Sequence, residues 1–385
     1  MSVTMAALLF ALAACASLST SWLLVSRLER VGETLGISEG LLGMLAALAA
    51  DAPEITSSIT AMVNRQQQIG AGVVLGSNVF NLAALLGLGA LVAGRIGFHR
   101  RVVVLAGAVA LWIAAVCVLT VLGLLPPLAG LVLVGVVLAA YAASLGLPRS
   151  ALHRLPLPRR WIAWLHAAVR QEEQEREVAR PPRGGAGDAL IAGACLVIVV
   201  AASVVMERAA ASLGARYAIP EIVIGGLVLA AVTSLPNSVA AVYLARRGRG
   251  AAVLSTALNS NALNVSVGLL LPGTLLGLGG VSPSGSLVVA WYAALTLALV
   301  ALAHREQGVS RAVGALTVVG YVAFAGSVLA TGLAAQGLRM ALMLAPGIAA
   351  ALAFALLWAY RQPAVAGPGP GPLPASEPSS SARMR

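Results

Sequence analysis

Asp51-Ala52-Pro53-Glu54, followed by Gly76-Ser77-Asn78-Val79-Phe80-Asn81, is answered later in the chain by Ser234-Leu235-Pro236-Asn237 and Asn259-Ser260-Asn261-Ala262-Leu263-Asn264. A shift of 183 residues carries the first two segments onto the second two without a gap. Pro53 falls on Pro236, Glu54 on Asn237, Ser77 on Ser260, Asn78 on Asn261 and Asn81 on Asn264. Repetition at a single offset marks an internal duplication. Six of the seven Asn lie in these two regions, each set in a long apolar stretch.

The surrounding composition says what those stretches are. Of 385 residues, 59% are hydrophobic and 10% charged, with a mean hydropathy of +0.92. A water-soluble chain is about a quarter charged, so this one reads as a polytopic membrane protein. Apolar runs of about 20 residues fall near 5–26, 38–63, 69–94, 102–123, 127–147, 188–206, 220–244, 251–275, 285–303, 312–333 and 338–360. Leu12-Ala13-Ala14-Cys15 resembles a lipoprotein cleavage box, but no basic residue precedes it, and it is read as part of the first span.

All 25 basic residues are Arg. The absence of Lys excludes a P-loop lysine, and with it an ATP-driven motor in this chain. Alternating the spans places 21 Arg on one face of the membrane and four on the other. By the positive-inside rule, the N-terminus is then outside and the C-terminus cytoplasmic. The +11 charge is thus assigned to topology rather than to nucleic acid. Alanine, glycine and leucine richness with Arg-only basic residues points to a bacterial inner membrane.

Cys15, Cys117 and Cys195 are isolated in apolar runs, and His99, His153, His166 and His304 lie in or beside loops. No disulfide framework, zinc site, catalytic triad or cofactor motif is indicated, so no enzyme is expected.

Five spans separate equivalent spans of the two copies, so the second copy enters from the opposite face. The expected fold is an all-α polytopic membrane protein with two inverted five-helix repeats plus an extra C-terminal helix, an arrangement shared by many secondary transporters. The divisions are a first repeat over 1–147 with its motif at 38–94, and a cytoplasmic loop with an interfacial helix over 148–187. A second repeat follows over 188–333 with its motif at 220–275, then an extra helix at 334–361 and a disordered tail at 362–385. In the loop, Trp161, Ile162, Trp164, Leu165 and Val169 are flanked by Arg159, Arg160 and Arg170, a spacing suited to a short helix on the membrane surface.

Glu54 and Asn81 are 27 residues apart on consecutive helices, as are Asn237 and Asn264. Each is therefore about 13 residues from the connecting turn, roughly 20 Å at 1.5 Å per residue, which is the bilayer midplane. Equal depths predict that Asn81 and Asn264 face one another across a pseudo-twofold axis. Pro53 and Pro236 remove amide donors there and free carbonyls one turn earlier. Carboxylate, amide, hydroxyl and carbonyl oxygens without sulfur or imidazole suit a hard cation, Ca²⁺ or Na⁺. Polar groups at this depth are expensive and functional by default.

A Pro-Glu on one helix and a Gly-Ser-Asn-x-x-Asn on the next, duplicated in inverted orientation, resembles the cation/Ca²⁺ exchanger superfamily, its sodium/calcium exchanger branch above all. The resemblance implies that Glu54, Asn81 and Ser77 are ligands from the first repeat. Asn237 and Asn264 stand where the family carries two carboxylates, with Ser260, Ser234 and Thr233 beside them. Ala50 stands in place of a family Thr, and Asp51 in place of a family Ser. Asp51 is counted as a ligand, with its direction left open.

The expected function is a secondary-active cation antiporter exchanging Ca²⁺ for Na⁺ or H⁺. The alternatives are a monovalent cation/proton exchanger and a transport-inactive membrane paralogue. A passive pore would want a continuous polar helix face, which these helices lack. The expected partners are membrane lipids and the transported cations, with no cofactor and no nucleic acid.

Overall fold

The structure is a computed structural model and describes residues 2–35, 39–146, 160, 164, 167, 168, 183–246, 250–280 and 282–332. The expected eleventh span, the terminal tail and most of the expected interfacial helix lie outside the described residues. Arg160, Trp164, Ala167 and Ala168 of that segment are helical.

The first half runs α1 (Val3–Thr34), α2 (Glu39–Ala50), α3 (Ala52–Val63), α4 (Gln67–Asn81), a π-helix π1 (Leu82–Leu88) and α5 (Gly89–Ala93). Strand β1 (Arg95–Gly97), α6 (Arg100–Val121) and α7 (Pro127–Gly146) complete it. The second half runs α8 (Ala186–Arg216), α9 (Glu221–Val223), π2 (Ile224–Leu229), α10 (Ala230–Thr233) and α11 (Leu235–Arg246). It continues with α12 (Gly250–Leu263), π3 (Asn264–Leu270), α13 (Leu271–Leu276), α14 (Pro283–Glu306), strand β2 (Gly308–Ser310) and α15 (Arg311–Gly332).

Seven helices among the described residues are long and apolar enough to cross a membrane. Three further segments, 39–63, 221–246 and 250–276, carry motif residues, and polar groups or helix breaks interrupt them. Together these make ten helical segments among the described residues, and the 183-residue shift superposes their order: α1 on α8, 39–63 on 221–246, 67–93 on 250–276. Apolar side chains such as Trp22, Val136, Leu190 and Leu275 point outward. Such surfaces suit lipid rather than water.

Helix starts follow from local chemistry. Ser2 Oγ accepts from the Met5 amide at 3.2 Å. Ser282 Oγ does the same for Gly285 at 3.0 Å, with Pro283 opening the helix. These are N-caps that satisfy amides the helix leaves free. The α3–α4 turn has Arg65 at φ 62°, and Gly94 ends α5 at φ 87°, a conformation glycine adopts without a Cβ clash.

Strands β1 and β2 pair antiparallel, Ile96 opposite Val309. Six spans separate the loops carrying them, and an even number of crossings places both on one face. The same loops bear Arg95, Arg305 and Arg311. Pairing and charge thus agree on the span count.

Two large apolar clusters flank the centre, one around Leu85, Ile96, Val253 and Leu254, the other around Leu75, Ile113, Leu269 and Tyr292. Both take side chains from 67–93 and 250–276, the two segments at the heart of the bundle. The long helices α1 and α8 pack along one another at the side, and α8 also rests on α3. Arg27 Nη1 donates to Asp188 Oδ1 at 2.8 Å and ties one pair of their ends. The first and sixth spans, expected over 5–26 and 188–206, extend to 32 and 31 residues in the structure.

Candidate functional site

Two crossings break at equivalent residues. Asp51 separates α2 from α3 with φ −84° and ψ −1°; Ser234 separates α10 from α11 with φ −84° and ψ −2°. Each break precedes a proline at the second position of the new helix. Without an N–H, Pro53 leaves the Ala49 carbonyl free of its helical donor, and Pro236 does so for Val232. The new helices therefore begin inside the membrane, with their positive dipole ends at Asp51 and Glu54 and at Ser234 and Asn237. A helix N-terminus favours negative charge, which explains why carboxylates can be held at this depth.

The breaks face each other. Asp51 Oδ1 accepts from Asn237 Nδ2 at 2.8 Å and from Ser260 Oγ at 2.6 Å. Glu54 Oε1 accepts from Ser234 Oγ at 3.0 Å. Under the 183-residue shift Asp51 is equivalent to Ser234, and Glu54 to Asn237. The contacts Asp51–Asn237 and Ser234–Glu54 are therefore one contact seen twice across a pseudo-twofold axis. Each pair holds one carboxylate and one neutral donor, and both carboxylates belong to the first repeat. Asp51, whose direction the sequence leaves open, points into the site.

The α4–α12 crossing lies on the same axis. Asn78 Nδ2 donates to the Asn261 carbonyl at 3.2 Å, and Asn261 Nδ2 to the Asn78 carbonyl at 3.1 Å. Asn81 Nδ2 donates to Asn261 Oδ1 at 3.2 Å and to Ser260 Oγ at 3.0 Å. Asn264 Nδ2 donates to Asn78 Oδ1 at 3.4 Å. The expectation that Asn81 and Asn264 face one another is corrected here. The axis passes between Asn78 and Asn261, one helical turn earlier, and each outer Asn reaches the opposite repeat through that pair.

Glycines allow this approach. A Cβ on Gly72 would stand 2.9 Å from the Gly226 amide nitrogen, and one on Gly76 would collide with the Gly226 carbonyl oxygen. The backbone of α4 thus lies directly against π2, as small residues permit between membrane helices. Ser58 Oγ ties three segments, bonding to the Gly70 and Gly268 carbonyls at 2.9 and 2.8 Å.

Several buried oxygens have no hydrogen-bond partner among the described residues: Asp51 Oδ2, Glu54 Oε2, Ser77 Oγ, Asn81 Oδ1 and Asn264 Oδ1. All five residues are 0% exposed. Orphaned buried acceptors cost free energy unless something satisfies them. A hard cation binds to oxygen, the atom type left unpartnered at each of these residues. Among the described residues no three His, Cys, Asp or Glu come together, so the donor set is two carboxylates with amide and hydroxyl oxygens.

Of the residues the repeat singles out, Asp51, Asn237, Ser260 and Asn81 form one hydrogen-bonded network, and Glu54 and Ser234 form a separate pair. Asn264 joins through Asn78, and Ser77 is buried without a partner. Thr233 is spent on its own helix, where its hydroxyl bonds the Leu229 carbonyl at 2.9 Å. Asn78 and Asn261 stood inside the motif but were not counted as functional. Also unforeseen were π1 and π3, which begin directly after Asn81 and at Asn264. Such π turns widen the helix locally and often mark functional sites.

The model of the family described as "Sodium/calcium exchanger protein" matches residues 5–146 and 189–330. Inner membrane protein YrbG of Escherichia coli strain K12 is 27% identical over 261 residues, 65% of this chain and 73% of that protein. Putative antiporter CaxA of Alkalimonas amylolytica is 31% identical over 77 residues, 20% of this chain and 24% of that protein. A structure of the sodium-calcium exchanger NCX_Mj shares 20% identity at a TM-score of 0.55, covering 84% of this chain and 98% of that one. The H⁺/Ca²⁺ exchanger CAX shares 13% at a TM-score of 0.63, covering 92% and 90%. At these identities the two structures establish a common fold.

Proposed function

The chain belongs to the sodium/calcium exchanger protein family, and from that premise we propose that it is a secondary-active antiporter exchanging Ca²⁺ for Na⁺ or H⁺ by alternating access. The observation that carries this reading is the pair Asp51 and Glu54. Both are 0% exposed at helix breaks, each bonded by neutral donors of the opposite repeat and each with its second oxygen unpartnered.

Two carboxylates this close act as a coupled pair, and net charge in a low-dielectric interior is costly. One Ca²⁺ neutralises both; so do two Na⁺ or two protons. Occupancy by one divalent or by two monovalent ions is therefore the low-energy state, and the two alternate during exchange. With Asn237 and Asn264 neutral, no third charge is available. Exchange is then electroneutral, one Ca²⁺ against two monovalent ions.

The ligands are Asp51, Glu54, Ser77, Asn81, Ser234, Asn237, Ser260 and Asn264; Thr233, whose hydroxyl bonds its own helix, is left out of the set. The arginine-rich loops face the cytoplasm and the N-terminus faces outward, in a bacterial inner membrane, by the charge asymmetry of the connecting loops. YrbG, similar over two thirds of the chain, is described as an inner membrane protein.

Purified protein in proteoliposomes, loaded with Na⁺ or with acid and diluted into Ca²⁺, tests this. Ca²⁺ accumulation driven by either outward gradient supports exchange. No uptake under both gradients overturns it.

A further inference from the structure

Glu207 is a third buried acid, set apart from the first two. Sequence alone puts it just past the end of the sixth span; the structure runs α8 on to Arg216 and leaves Glu207 0% exposed. Its Oε2 accepts from Asn64 Nδ2 at 3.5 Å. Its Oε1 has no partner among the described residues. Asn64 closes α3 and is exposed at the α3–α4 turn. It lies ten residues beyond Glu54 on α3, about 15 Å along the helix.

The seam of α3 between them carries one hydroxyl, Ser57, and then the small Ala61. Glu54, Ser57, Ala61 and Asn64 recur every three or four residues and so share one face of α3. Ala61 packs with Ala13 and Ala14 of α1 and with Ala202, Met206 and Ala210 of α8, which turns that face toward both helices. Ser203, one turn before Glu207, places its hydroxyl 3.5 Å from that of Ser17 on α1. Ser57 Oγ is buried and unpartnered.

Among the described residues, the equivalent positions on the long helix of the opposite half carry no acid. The position equivalent to Glu207 is Leu24, which packs with Ala49, Ala192 and Cys195. Thr20, equivalent to Ser203, bonds the Ala16 carbonyl of its own helix at 2.6 Å. Among the described residues, the buried acid on the long helix therefore stands on the Asn64 side of the Asp51–Glu54 site and has no acidic counterpart at Leu24.

We propose that Glu207 is a second cation station, taking one monovalent cation (Na⁺ or a proton) on the route between the Asn64 face of the membrane and the Asp51–Glu54 site. Placement of that site as the transport centre rests on the exchanger reading; the station itself does not. Glu207 makes no ion pair among the described residues, so its buried charge calls for neutralisation, and one bound positive charge supplies it. A divalent ion would leave a net charge in the seam. The groups facing Glu207 are Asn64 of α3 and, next to it on α8, the exposed Arg208; the α1 residues of the Ala61 cluster, Ala13 and Ala14, bring no titratable side chain.

The test uses the full chain with the central site disabled, as the D51N/E54Q double variant, and reads binding rather than transport. Equilibrium binding of radioactive Na⁺ should give about one ion per chain, lost when E207Q is added and kept when E207D is added. If the ligand is the proton, no Na⁺ binds, and a protonated-carboxylic-acid infrared band titrates with pH and disappears with E207Q. The E207D variant guards against a loss due to misfolding. Absence of both signals, or either one unchanged by E207Q, overturns the station. Because binding is read without exchange, the station can fail while Ca²⁺ exchange stands, and the reverse.

Discussion

The pairs Asp51–Asn237 and Ser234–Glu54 are equivalent contacts with the acid on opposite partners, and this permits a sharp perturbation. Replacing Asp51 by Ser and Asn237 by Glu together turns the first pair into a copy of the second, whose hydrogen bond is already present at 3.0 Å. The charge count stays at two while the acid crosses to the other repeat. Each single change breaks the balance. Asp51→Ser removes one charge and the acceptor of two hydrogen bonds, at 2.8 and 2.6 Å. Two unit charges about 4 Å apart attract by about 4 kcal/mol at an effective dielectric near 20. Dehydration offsets part of the larger attraction to a divalent ion. A net loss of about 3 kcal/mol corresponds to roughly 100-fold weaker Ca²⁺ binding. Asn237→Glu alone adds a third charge, so a site holding one Ca²⁺ keeps one net negative charge and exchange becomes voltage-sensitive. The double variant should recover Ca²⁺ affinity to within about tenfold of wild type, a coupling of about 2 kcal/mol, within the range for residues in contact. Isothermal Ca²⁺ titration of the four proteins in detergent reads this directly. A double variant no better than Asp51→Ser would refute the pairing of charge across the axis.

Glu54→Gln should abolish Ca²⁺ flux in proteoliposomes while the melting temperature stays near that of wild type, since a neutral side chain replaces a costly buried charge. Wild-type flux would remove Glu54 from the site. Gly76→Ala should lower stability by about 2–3 kcal/mol, in the range for overpacking, because the added carbon meets the Gly226 carbonyl; thermal unfolding in detergent checks it. Cysteines replacing Asn78 and Asn261, in a background without Cys15, Cys117 and Cys195, should be joined by a short bifunctional thiol reagent. No crosslink would contradict the common axis.

Much of this architecture could be read before any coordinates. Helices fall on ten of the expected spans, two of them longer than expected, and the offset that brings Pro53 onto Pro236 also superposes the helix breaks. Both signals are loud for one reason: polar groups in a bilayer are costly, so those that persist stand out against Leu, Val and Ala. Other features were silent. The π turns after Asn81 and Asn264 change which carbonyl each amide meets but leave the composition apolar, so no hydropathy pattern reports them. The buried position of Glu207 was hidden because Glu207-Arg208 reads like the polar end of a span. Its burial depends on α1 and α3, which the sequence of α8 does not contain. The direction of Asp51 was open for a similar reason. At a helix break, side-chain periodicity is lost, and only the partner, Asn237 186 residues away, fixes it.

Two carboxylates and no third charge make electroneutral exchange the central claim, and voltage tests it most directly. Proteoliposomes carrying a Na⁺ or H⁺ gradient are brought to equilibrium under a set of imposed K⁺ diffusion potentials, and the final Ca²⁺ ratio across the membrane is measured. Electroneutral exchange leaves that ratio unchanged at every potential. One net charge moved per cycle is worth about 2.3 kcal/mol per 100 mV, so the ratio would shift roughly 50-fold per 100 mV, and a shift of that size would contradict the two-charge site.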